Sequence, residues 1–265
     1  MTDTRGNGKD IARQVLTVLF AITQAGIGAF RTNVGDISDE FTSPIVPANY
    51  AFAIWGVIFL LLFIYAIYQV LPAQRTNPLF RSMGWWLAAA MAGNTLWTYT
   101  FTDRQFIVSQ VLIFAIAACA IMALLRYVQH FANTAPDGIE KWVVGPGTGL
   151  LAGWVTAASF VGLSATLITE GWERSGQGAD IGGSALLLFA GGVAALVLSR
   201  VARGPVTAWL PYGIAVLWAL VAVVVNWLNE AQFVPIVAGL IAIIVIVLLG
   251  LVWREPRASS APAAA

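Results

Sequence analysis

Charge is scarce in this 265-residue chain: Asp, Glu, Lys and Arg together make up 10% of it, whereas soluble domains carry about a quarter. The one cysteine, Cys119, lies inside the apolar run IFAIAACAIMALL and reads as a small buried hydrophobe. Neither a disulfide framework nor a thiolate metal cluster can be built from it within one chain. The one histidine, His130, falls in RYVQHFANTAPDG, outside the apolar runs, so no pair of axial haem ligands and no zinc site is expected there. Lysine is limited to Lys9 and Lys141, at or beyond the ends of the runs, which excludes a retinal Schiff base. Within the runs Asp, Glu, Lys, Arg and His are essentially missing. Ion-coupled transport, proton pumping and voltage sensing need ionisable groups at membrane depth and lose support accordingly. No H-E-x-x-H, G-x-S-x-G or P-loop pattern occurs, and no Lys/Arg-rich tract, so hydrolase chemistry and a nucleic-acid partner are not expected.

What the chain does have is hydrophobicity, 59% of its residues, in runs that recur along its whole length. A helix crosses a hydrocarbon core of ~30 Å with ~20 residues. Windows bounded by charge, Pro or Gly fall at 11–30, 48–71, 83–101, 106–128, 142–168, 183–200, 205–227 and 230–252. The expectation is an all-α integral membrane protein with eight spans, in contact with the lipid bilayer. Cytoplasmic segments collect Lys and Arg. With the N-terminus inside, that side holds Arg5, Lys9, Arg13, Arg75, Arg81, Arg126, Lys141, Arg200, Arg203, Arg254 and Arg257, and the other holds Arg31, Arg104 and Arg174. Both termini are therefore expected to be cytoplasmic, in a cytoplasmic membrane of bacterial type. Two outer loops are acidic, one with Asp36, Asp39 and Glu40 and one with Glu170, Glu173 and Asp180. Both read as solvated, and Gly35 would also allow the first to act as a lid. The small-residue tail ASSAPAAA reads as disordered.

Of the eleven tryptophans, Trp85, Trp86, Trp142, Trp172, Trp209, Trp227 and Trp253 lie near span ends, as interfacial indoles do. Trp55, Trp97, Trp154 and Trp218 sit inside spans, where each N–H needs a partner or a ligand. In AGNTLWTYTF, residues 92–101, Asn94 and Trp97 share a helical face at i, i+3, and Phe101 continues it at i+4. At ~1.5 Å per residue, Trp55 lies roughly 10 Å below the outer boundary, with Asn94 at similar depth and Trp97 a turn higher. Trp154 lies deeper and is followed by Thr156, Ser159 and Ser164. Packing between helices would account for such residues as well as a pocket would, and the small residues of GPGTGLLAG suit close helix approach, with Pro146 bending the start of that helix.

The residues Asn94, Trp97 and Phe101 resemble the third-helix pattern of the TspO/translocator family, the tryptophan-rich sensory or peripheral benzodiazepine receptor-like proteins. PANYAFAIWGVIF resembles its second-helix signature through Pro47, Tyr50, Phe52, Trp55 and Phe59, and GWVTAASFVGL its fifth through Trp154 and Ala158. Departures are a Phe52 to Trp55 spacing one residue short, Tyr50 in place of Trp, and Val161 and Gly162 where an asparagine is usual. The similarity covers roughly residues 11–170. It implies a five-helix bundle there, after a cytoplasmic segment 1–10 and before three further helices at 171–253 and a tail at 254–265. It also implies a pocket for porphyrins, sterols or other flat apolar ligands, lined by Trp55, Asn94, Trp97, Phe101 and Trp154 with Tyr50 and Phe52. The expected function is a receptor, sensor or carrier for a planar hydrophobic ligand such as a non-covalent tetrapyrrole. No general acid, base or nucleophile is identified. The alternatives are an assembly subunit of a larger membrane complex, with a homodimer or complex partner, and an enzyme acting on isoprenoids or lipids.

Overall fold

The computed structural model describes residues 7–30 and 34–254. Arg5, Arg31, Arg257 and the tail beyond Arg254 lie outside them. Among the described residues nine α-helices follow in order: α1 Gly8–Phe30, α2 Val34–Glu40, α3 Ile54–Val70, α4 Pro78–Thr102, α5 Phe106–His130, α6 Gly145–Thr169, α7 Gly176–Val201, α8 Val206–Trp227 and α9 Val234–Arg254. Each apolar window of the sequence corresponds to one of the eight long helices. Six of these, α3 and α5 through α9 with their flanking turns, are long and apolar enough to cross a membrane. The two that fall short, α1 and α4, carry Arg13, Gln14 and Gln24, and Asn94 with a run of threonines.

Local chemistry explains where the helices begin. Asn77 caps α4 by accepting from the Leu79 N–H at 2.9 Å, and Pro78 occupies the first turn, where its missing N–H costs nothing. Upstream of α6 the chain makes a π-helical turn, Glu140–Val144, and Pro146 follows it at the start of the α-helix.

Cross-helix bonds fix the register. Along α1 and α4, Arg81 meets Asp10 and Thr95 meets Thr23 at 3.2 Å, so the two run parallel. Along α5 and α6, Gln110 donates to the Ser159 carbonyl and Thr166 reaches the Phe106 carbonyl, so these run antiparallel. α6 and α8 touch backbone to backbone along Gly145, Gly149 and Gly153. A Cβ on Gly145 would come within 2.9 Å of the Thr207 carbonyl oxygen, and one on Gly149 within 2.7 Å of that of Ala208. A small residue every fourth position is what lets membrane helices close this far.

Three features depart from the sequence reading. Arg13, counted there among charges flanking the first span, is fully buried: its guanidinium donates to Gln69 Oε1 and to the Arg75 carbonyl, both at 2.9 Å. Gln14 and Gln69 bond each other's backbone carbonyls beside it. Asp180, expected in a solvated loop, is buried in the first turns of α7 and accepts the N–H groups of Gln232, Phe233 and Val234 at 2.8 to 2.9 Å, capping α9. Trp209, expected at the interface, is 0% exposed, packed edge-on to Trp253 at 6.3 Å, and Trp227 gives its N–H to the Val46 carbonyl. Trp85, Trp86, Trp142, Trp172 and Trp253 are exposed, as interfacial indoles should be.

Candidate functional site

A cavity of about 70 Å³ lies between α3, α4, α6, α7, α8 and α9 at the end of the bundle away from the chain's start. Phe52, Trp55, Trp97, Phe101 and Trp154 stand in its wall. Their arrangement is built locally. Phe52 belongs to a 3-10 turn, Asn49–Ala53, that leads into α3, and Trp55 follows in the first turn of the helix. Trp97 and Phe101, four residues apart on α4, stack at 5.0 Å with their planes 18° apart. Trp154, on α6, stands nearly perpendicular to both Phe52 at 5.9 Å and Trp55 at 6.2 Å, an edge arrangement that suits the aromatic quadrupole.

The segment that carries Phe52 is held by α8. Trp218 donates its indole N–H to the Ala51 carbonyl at 2.8 Å, Trp227 and Asn226 both donate to the Val46 carbonyl, and the Ala48 N–H donates to the Ala222 carbonyl. Trp218, one of the four indoles expected inside a span, thus finds its partner in backbone. Tyr50 is half exposed and packs edge-on against Trp218, outside the cavity wall. Asn94 is also outside it, one turn from Trp97 along α4, 2% exposed, with its side-chain oxygen meeting no partner. Of the seven residues named from sequence, the fold brings five into one wall.

The rest of the wall was not legible in advance. Leu187, Ala190, Gly191 and Ala194 come from α7, Val216, Ala219, Leu220 and Val223 from α8, and Ile241 from α9. They are apolar, as any lipid-facing residue would be, and only helix packing shows that they face inward. Polar groups in the wall are few. The Thr156 hydroxyl donates back to the Ala152 carbonyl at 2.7 Å and lies 3.4 Å from the Tyr212 hydroxyl, and Ser38 lies at the rim. Trp154 Nε1–H is buried and meets no acceptor. No Asp, Glu, Lys, Arg or His of the described residues lines the cavity.

Over the cavity lies α2, which contributes Val34 and Ser38 to the wall and packs Ile37 against Phe101 and Phe106. Its C-terminal end is pinned. Arg104 forms an ion pair with Glu40 at 2.6 Å, and Arg174 donates to the Glu40 carbonyl while both guanidiniums lie over the Phe41 ring, at 5.9 and 5.4 Å. Arg104 holds a φ of 60° in the turn between α4 and α5, a conformation that L residues adopt sparingly.

Fold and cavity together define a helical integral membrane protein with an aromatic chamber, lined by no charged side chain of the described residues, beneath the short helix α2. The TSPO-like protein family model matches residues 11–252, and the chain belongs to that family. The match continues through α9, well past the 11–170 stretch whose motifs carry the resemblance. No curated protein and no solved structure matches.

Proposed function

We propose that the protein is a membrane receptor, sensor or carrier that holds a flat hydrophobic ligand in the chamber between α3, α4 and α6, walled by α7 to α9 and covered by α2. All eight long helices cross the bilayer in this reading, with both termini on the cytoplasmic side. The observation that supports it is the convergence of Phe52, Trp55, Trp97, Phe101 and Trp154, from three segments far apart in sequence, on one apolar space. Indole and phenyl faces offer planar ligands large contact areas with little loss of side-chain freedom. Residues from the three later helices complete the enclosure, which ties them to binding rather than to a separate role.

The space is small. Sites for drug-sized ligands span roughly 300 to 1,000 Å³, several times the ~70 Å³ present here, so a ligand of that class must part the walls as it enters. The cover α2 is the element to move, since it is seven residues long and held by exposed Arg104 and Arg174 contacts. A tetrapyrrole would require the largest displacement among the ligands considered.

The test is saturable quenching of tryptophan fluorescence by a porphyrin or a smaller fused-ring ligand in nanodiscs. Replacing Ala158, in the wall, by Phe should abolish saturation while the thermal transition is kept. Unchanged saturation in a folded Ala158→Phe variant would sink the assignment of the site. The outward residues of α9, among them Ile236, Leu240, Ile243 and Val247, need no protein partner, since lipid chains cover such a face.

A further inference from the structure

The wall of the chamber changes character from one side of α6 to the other. Trp154 and Phe160, six residues apart on that helix, point about 120° from each other around its axis. On the Trp154 side stand the rings of Phe52 and Trp55. On the other side, where Thr156 meets Tyr212 of α8 and Phe160 meets Phe189 of α7, the wall is made of small or aliphatic residues: Ala190, Gly191 and Ala194 of α7, Val216 and Ala219 of α8 and Ile241 of α9. Phe160 itself is buried, yet its outer neighbours, Phe189 at 6.0 Å and Phe114 at 6.4 Å, are 69% and 43% exposed. A single layer of phenyl rings thus separates the chamber from the outer surface of the bundle. Beside Phe189, Ala190 and Gly191 line the chamber while staying partly exposed, and a Cβ added to Gly192 would meet no atom within 4 Å. At ~1.5 Å per residue Phe189 stands roughly 20 Å along α7 from Gly176, at hydrocarbon depth in a core of ~30 Å.

Resting on the reading of this chamber as a ligand site, we propose that its occupant is a flat ring system bearing one long hydrocarbon tail, which runs along the α7 side and leaves for the bilayer past Phe160 and Phe189. The recess of about 70 Å³ has no room for a chain beyond the ring, so a chain must have an exit. Beneath α2 the way out passes the Arg104–Glu40 ion pair and the Arg174 guanidinium, which offer hydrocarbon nothing. Between α5, α6 and α7 it passes only phenyl rings, alanine and glycine. A tail there exchanges lipid chains for an apolar protein surface, so it is tolerated at little cost, and a ligand of this kind reaches the chamber sideways from the membrane without its tail ever meeting water.

The experiment uses the full chain in nanodiscs with pyrene and 1-dodecylpyrene, read by quenching of tryptophan fluorescence against the mole fraction of probe in the lipid. In the native protein the tailed probe should bind within about 3-fold of pyrene, since its chain stays in hydrocarbon throughout. Ala190→Phe, which fills the α7 side, should lower the ratio of tailed to tail-free affinity about 10-fold through overpacking. Independently of any variant, a diazirine placed near the ring end of the tail should label α7 between Leu187 and Ala194 on irradiation, and excess pyrene should suppress that label. Saturable binding of pyrene with loss of binding by the tailed probe would overturn the inference and leave the chamber standing. So would an unchanged ratio in folded Ala190→Phe, absence of label from this stretch of α7, or label that survives excess pyrene and so arises from lipid contact alone. If pyrene itself shows no saturable quenching, the chamber is not a site for flat ligands, and the inference falls with it.

Discussion

At the scale of single residues, the least expected feature is Arg13, a guanidinium buried with no carboxylate of the described residues in contact, held by Gln69 Oε1 and the Arg75 carbonyl. Arg13→Ala should destabilise the protein by about 2 to 4 kcal/mol, because it strands the buried Gln69 acceptor and the partly buried Arg75 carbonyl and leaves a gap, and Arg13→Lys should recover little of that since one ammonium cannot span both acceptors. Thermal unfolding in detergent measures both. Asp10 lies one turn away, its carboxylate bridged by Arg81 Nε at 3.0 Å and Nη2 at 2.6 Å. The hydrogen bond from Arg81 is the main reason that the Asp10 carboxyl titrates below the ordinary carboxylate range. Its stabilising contribution is therefore fully present above about pH 4 and is lost as the pH falls through the lowered folded value. The expected readout is a melting temperature that declines with acidification in the native protein and less so in Asp10→Asn. None of this was visible in the linear sequence, where Arg13 looks like one more charge beside a span. Its partners are 56 and 62 positions distant, and only the register of α1 against α3 brings them together. Trp97 and Phe101, by contrast, were legible because helical spacing alone places an indole and a phenyl on one face, and Trp154 because it sits inside an apolar run and matches the family's fifth-helix pattern.

At the scale of elements, apolar length located the eight long helices, with the largest boundary error at the start of α7, which begins at Gly176 and not at 183; a π-helical turn, Glu140–Val144, precedes α6 next to Pro146, where a bend was expected. Periodicity could say little about which face each helix turns inward, since lipid and protein interiors favour the same residues. The exception is the GPGTGLLAG stretch, whose small residues suited close approach and do seat α6 on α8. Gly149→Leu should push the helices apart and cost about 1 to 3 kcal/mol by overpacking, seen as a lower melting temperature; Gly192→Leu, where no atom lies within 4 Å of the added Cβ, should be near neutral. The cover α2 makes a kinetic prediction. Exposed ion pairs contribute about 0 to 1 kcal/mol, so Arg104→Gln should raise the rate of ligand exchange by no more than about 5-fold and leave the helix content unchanged. Stopped-flow quenching measures that rate, and slower exchange in either Arg104→Gln or Arg174→Gln would show that entry does not pass beneath α2.

At the scale of the whole molecule, the two parts that motif matching separates are interlocked. Asp180 in α7 ties down the start of α9, α8 grips the backbone that leads into α3, and all three late helices wall the chamber. A chain ending at residue 170 is therefore expected to lose saturable ligand quenching, and supplying residues 171–265 as a second polypeptide in the same membrane should restore it. The position of Ile241 in that wall has a consequence for biogenesis. Until α9 has settled beside its neighbours, the wall lacks Ile241 and the recess is open on that side. On the proposed reading of the chamber, a ligand would be enclosed there only once that last side of the wall is in place.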